Sequence, residues 1–108
     1  MKLKLTLLLS LTLAFAFGQK KELKKAEKLF ATGNIAEAAQ TLDENQALLE
    51  GAEEKIANAY IFLRGRIAEQ NGEFEKALGY YTQLKDDVRL QAEVQTQVGT
   101  LSSALITS

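Results

Sequence analysis

A six-residue phrase is written twice in this chain, and it decides most of what the chain can fold into. Gly33-Asn34-Ile35-Ala36-Glu37-Ala38 returns as Gly72-Glu73-Phe74-Glu75-Lys76-Ala77. Each copy puts glycine first, a residue with a side-chain acceptor second, a bulky apolar residue third and alanine sixth. Glycine takes the left-handed conformation that closes one helix, and the acceptor after it suits the start of the next. The phrase predicts two helical hairpins.

The flanking segments have helical spacing. Leu23, Ala26, Leu29 and Phe30 share a side ahead of Gly33. Ile35, Ala38, Ala39 and Leu42 follow it at i, i+3, i+4 and i+7, and Phe74, Ala77, Leu78 and Tyr81 repeat those offsets after Gly72. The second helix is expected to run to Leu49, with Gly51 as its stop. A third should start near Ala52, where Glu53 and Glu54 suit the helix dipole, and carry the stripe Ile56, Tyr60, Leu63 and Ile67. After Asp86 or Asp87 as a cap, Val94, Val98, Leu101 and Leu105 mark a fifth helix with no hairpin partner. With no proline in the chain, the expected class is all-α.

The first residues read differently. Met1-Lys2-Leu3-Lys4 is a basic start, Leu5 to Phe17 is an apolar run of 13 residues, and Ala16-Phe17-Gly18 offers small residues where a signal peptidase reads. This predicts a signal peptide over residues 1–18, cut between Gly18 and Gln19, and an exported protein, periplasmic or secreted. The run falls short of the roughly 20 residues that cross a bilayer as a helix. The alternative is an uncleaved anchor, favoured by the lysines that follow at once. Cleavage removes two of the 13 basic residues and none of the 14 acidic ones, leaving a net charge of −3. That balance argues against nucleic acid as the main partner.

Composition also excludes chemistry. The chain has no cysteine and no histidine, which removes disulfides, thiolate sites, an N-terminal lipid-modified cysteine and the commonest general base and metal ligand. The acidic pairs Asp43-Glu44, Glu53-Glu54 and Asp86-Asp87 do not converge, since helix neighbours point about 100° apart, and helix-end capping accounts for them better than metal binding. No base–nucleophile pair or phosphate-cradling loop is present. The expectation is a non-catalytic protein without cofactor or metal.

The arrangement resembles the tetratricopeptide repeat, a helix-turn-helix unit with a period of about 34 residues. Counting back from the turn glycines Gly33 and Gly72, the family's first small position falls on Ala26 and Gly65, and its second on Ala38 and Ala77. Its second-helix aromatic matches Tyr81, with Leu42 in the other copy. A further step of about 34 from Gly65 lands on Gly99, so the last helix reads as the first of a third unit. The units are residues 19–51, 52–85 and a half unit 86–108 of one domain, 19–108. The departures are definite: the turn glycines lie 39 apart, the third small position holds Asn45 and Leu84, and no proline separates the units. The leader, the lysine-rich first helix and Gly-Asn-Ile-Ala-Glu-Ala together resemble the N-terminal part of exported bacterial proteins of this family, most of them longer. The resemblance implies a short right-handed superhelix of about five helices whose concave face binds a protein or peptide. Its groove positions correspond to Glu27, Phe30, Phe62, Arg66, Glu69 and Gln70. A partner would set an apolar side chain on Phe62 and a carboxylate on Arg66. The competing reading makes Phe30 and Phe62 core and Arg66 solvated. The unpartnered last helix offers a second function, self-association or packing against a continuation of the chain.

Lys20, Lys21, Lys24, Lys25 and Lys28 form a basic cluster on the first helix. It reads either as an attraction to anionic lipid or polyanion, or as the polar outer side a terminal helix needs for solubility. The lack of an interleaved aromatic row favours the second.

Overall fold

A computed structural model describes residues 18–84, 87 and 91–107. The expected leader, apart from Gly18, and Asp86 lie outside the described residues. All the described regular structure is helical. The helices are α1 (described over 18–31), α2 (Ile35–Glu44), α3 (Gln46–Glu50), α4 (Glu54–Gln70), α5 (Phe74–Thr82) and α6 (Gln91–Thr107). None of the described helices is long and apolar enough to cross a membrane.

Both glycine turns form, and they are built alike. Gly33 and Gly72 have φ of 87° and 77°, the only positive values among the described residues. After α1, the Asn34 amide donates to the Leu29 carbonyl at 2.8 Å and the Gly33 amide to Phe30 at 3.1 Å. After α4, Glu73 donates to Ala68 at 2.9 Å and Gly72 to Glu69 at 3.0 Å. This paired pattern satisfies carbonyls a helix end leaves open, and it needs a residue at ease with positive φ. The expected side-chain caps do not form. Asn34 and Glu73 make no capping bond to α2 and α5, and the Asn34 amide group donates instead to Thr32 Oγ1 at 3.2 Å. The turns are fixed from the glycine side.

The second helix differs from the expected single run to Leu49: it breaks at Asn45, so the described helices number six rather than about five. Asn45 Nδ2 donates back to the Thr41 carbonyl at 2.8 Å, and the Asn45 amide reaches only Leu42, at 3.3 Å. A short amide side chain thus competes with the helix ladder and ends it. The piece beyond, α3, has five residues, the same number by which the glycine spacing of 39 exceeds the repeat period of about 34. Leu49 in α3 is fully buried, so the extra turn is packed. Gly51 does end α3, with an ordinary φ of −84°. The third helix starts at Glu54, two residues later than expected.

Two apolar clusters hold the helices together. The first joins Leu23 and Ala26 of α1, Ala38 and Leu42 of α2, Leu49 of α3, and Ile56, Tyr60, Leu63 and Ile67 of α4. The second joins Ala68 of α4, Ala77 and Tyr81 of α5, Leu84, and Val94 and Leu101 of α6. The stripe read on α4 faces the first cluster. Its opposite side, with Gly65 and Ala68, receives α5, and Ile61 packs against both clusters.

The small positions explain how α4 and α5 come so close. A Cβ on Gly65 would sit 2.5 Å from Tyr81 Cε1. In the first hairpin the matching pair is Ala26 and Leu42, both fully buried. A larger ring on the second helix goes with a smaller residue on the first. At Gly99, where the third unit repeats the position of Gly65, nothing lies within 4 Å of a built Cβ, so among the described residues no helix packs against it.

Candidate functional site

The residues expected to bind a partner come from two helices, α1 and α4. Glu27 and Phe30 sit on the last two turns of α1, ahead of the Gly33 turn. Phe62 and Arg66 lie one turn apart on α4, with the Phe62 ring also against Tyr81 of α5, centroids 5.6 Å apart. Together with Ala31, Ala59, Leu63 and Glu93 of α6, these four residues line one cleft of about 340 Å³. Phe30 and Phe62 are half-buried and supply its apolar floor. The Arg66 guanidinium carbon stands 5.0 Å from the centre of the Phe30 ring, within cation–π range. Arg66 makes no ion pair with any described carboxylate.

The structure places the other two expected groove residues elsewhere. Glu69 accepts a hydrogen bond from the Tyr81 hydroxyl at 3.0 Å. The Gln97 amide, with its nitrogen toward the carboxylate, donates to both Glu69 oxygens at 3.0 and 3.2 Å. Glu69 therefore ties α4 to α5 and α6. Gln70 is exposed and does not line the cleft.

Burial pushes the Glu27 carboxyl above its ordinary value of 4.5, against the opposing pull of Lys24. A carboxyl raised in the folded state favours the protonated form there. Its contribution to stability is complete below the unfolded value and is lost as pH rises through the folded one. Glu27→Gln is therefore expected to melt above the unmodified protein at pH 7 and together with it near pH 3. Thermal melts at the two pH values check this, and an equal gap at both would contradict it.

Two features were not foreseen. Glu93 enters the cleft from α6, although the repeat count carries its signal: a step of about 34 residues from Ala59, which lines the same cleft, lands on it. On the other side of α4, Arg64 reaches Asp43 of α2 at 2.6 Å and donates from Nε to the Tyr60 hydroxyl at 3.0 Å. Burial opposes the Arg64 charge, and its bonds to Tyr60 and Asp43 outweigh that, raising its pKa. Asp43, expected to help cap a helix end, instead clamps the first hairpin to α4. Glu53, at the start of α4, makes no side-chain capping bond, and Asp87 accepts from Asn58 Nδ2 at 2.8 Å, which holds the α5–α6 connection against α4.

No family model, no curated protein and no solved structure matches this chain.

Proposed function

We propose that this protein is an exported, non-catalytic scaffold, a short tetratricopeptide-like array that binds a protein or peptide segment in the cleft between α1, α4 and α6. One observation carries the reading. Four of the six residues that the repeat register assigned to a groove line a single cleft, with an uncommitted Arg66 beside two half-buried aromatic rings. The equivalent glycine turns, the buried Ala26, Ala38 and Ala77, and the Gly65–Tyr81 contact support the stacked-repeat part. Apolar side chains of a bound segment cover Phe30 and Phe62, and its carboxylate pairs with Arg66 in bidentate fashion.

Selection from a library of random peptides tests the reading. Peptides recovered on the protein are expected to lose about tenfold or more in affinity for Arg66→Glu and for Phe62→Ala, as anchor residues do. Arg66 is exposed, so its variant leaves the fold intact. Undiminished binding to both variants would overturn the assignment.

A second reading has its own observation. Val94 and Leu101 of the stripe read on α6 are buried in the second cluster, but the flank around Val98 and Gly99 borders an apolar cavity of about 370 Å³ with Tyr81, and Ile106 is 84% exposed. That face suits self-association or a further helix of a longer chain. Sedimentation equilibrium separates the two: a monomer across the micromolar range counts against self-association.

A further inference from the structure

The five lysines of α1 form a face of one sign. With about 100° per residue, Lys20, Lys21, Lys24, Lys25 and Lys28 fall within an arc of about 140° and span about 12 Å of helix. All five are exposed, and none is in an ion pair with a described carboxylate. The buried residues of α1 (Gln19, Leu23 and Ala26) lie on the opposite side. The helix's two acids, Glu22 and Glu27, flank the buried side outside the lysine arc, and Glu27 feels the charge of Lys24 one turn away.

A face that only needed solubility would mix signs, because Glu–Lys pairs one turn apart support a helix. Here Lys20–Lys24, Lys24–Lys28 and Lys21–Lys25 are like-charge pairs at i,i+4, each of which destabilises the helix. The chain has 14 acidic residues and places none on this arc. An anionic surface would relieve that repulsion.

The position of the face says which surface. It lies on an amphipathic helix directly after the apolar run of residues 5–17, the stretch read above as a leader that meets a membrane during export. Four to eight basic residues just outside such a run suit anionic headgroups. Flexible ammonium groups adapt to a fluid array of lipid phosphates, and no aromatic side chain interrupts the arc to stack a base.

We propose that the lysine face of α1 docks the protein on an anionic phospholipid surface, with the α1–α4–α6 cleft left free. Because the apolar run of an uncleaved chain would itself partition into any bilayer, the readout is a ratio. Partitioning of the full chain is measured onto vesicles of equal parts phosphatidylglycerol and phosphatidylcholine, and onto phosphatidylcholine alone. The ratio should exceed one, shrink with added salt, and fall on the order of a hundredfold in Lys20→Gln/Lys24→Gln/Lys28→Gln, at roughly fivefold per lysine. The control Lys55→Gln/Lys76→Gln, exposed lysines on α4 and α5, should leave it unchanged. Circular dichroism verifies that both variants stay helical. A ratio unaffected by the triple change, or lowered equally by the control pair, overturns the proposal. So does a triple variant that loses binding to a single-stranded oligonucleotide while its vesicle ratio holds, which would assign the face to nucleic acid.

Discussion

Tyr81→Ala is expected to lower the melting temperature by about 12 °C or more, and to leave α5 and α6 poorly anchored. Among the described residues, Tyr81 is the largest side chain that is fully buried. Its ring lies on the bare backbone of Gly65 and tilts at 47° against Phe62, with centroids 5.6 Å apart. Its hydroxyl donates to Glu69. Truncating such an aromatic costs about 3–5 kcal/mol, and about 1 kcal/mol moves the melting point of a small domain by roughly 4–8 °C. Tyr81→Phe keeps the ring and should lose only about 1 kcal/mol, since Gln97 still holds the Glu69 carboxylate. The phenol adds an alkaline signature. Burial first, and then the neighbouring Glu69, raise its pKa above the ordinary 10.0. Stability from this group is complete below pH 10 and is lost as pH rises beyond it, because the unfolded phenol ionises there first. Tyr81→Phe should flatten that alkaline loss. Thermal melts of the two variants at neutral and alkaline pH are the check, and an alanine variant within a few degrees of the unmodified protein would show that the second cluster does not depend on this ring.

The same substitution at two equivalent glycines should act in opposite directions. At Gly65 a Cβ meets Tyr81 at 2.5, 2.9 and 3.0 Å, and the ring is enclosed, so it cannot step aside without moving α5. Overpacking costs about 1–3 kcal/mol and outweighs the gain of about 1 kcal/mol that alanine brings to a helix interior. Gly65→Ala is expected to destabilise, and Gly65→Leu to separate α5 from α4 altogether. At Gly99 the added methyl meets nothing within 4 Å, so Gly99→Ala should stabilise by about 1 kcal/mol through helix propensity alone. Combining Gly65→Leu with Tyr81→Ala should cost less than the sum of the two, since the clash disappears with the ring. Chemical denaturation of this set decides it, and additivity in the double variant would mean that the Gly65–Tyr81 contact is not what makes leucine intolerable.

What could be read in the chain beforehand was whatever depends on local spacing. The stripes on α4 and α6 and the two glycine turns follow from a period of about 3.6 residues and from glycine's ease at positive φ. The break at Asn45 was hidden because it arises from a side chain competing with its own backbone, which leaves the apolar period intact. The unused caps at Asn34 and Glu73 were hidden because the preceding glycine turn already sets the chain's path. Arg64 and Asp43 lie far apart in sequence, and only the packing of α2 on α4 brings them within 2.6 Å. Glu69 was placed in the groove by counting along α4, but it faces α5 and α6, where Tyr81 and Gln97 hold it. Four of the groove residues were legible because residues one turn apart on a helix share a side, and those sides of α1 and α4 border one cleft.

The double duty of α4 sets how the chain comes apart. One flank of this helix completes the first apolar cluster and the other completes the second. Melting either hairpin would wet a full side of a helix that the other hairpin still needs. Half-folded states are therefore costly. Unfolding should follow a single cooperative transition, with α4 the last element to surrender its protection against solvent exchange.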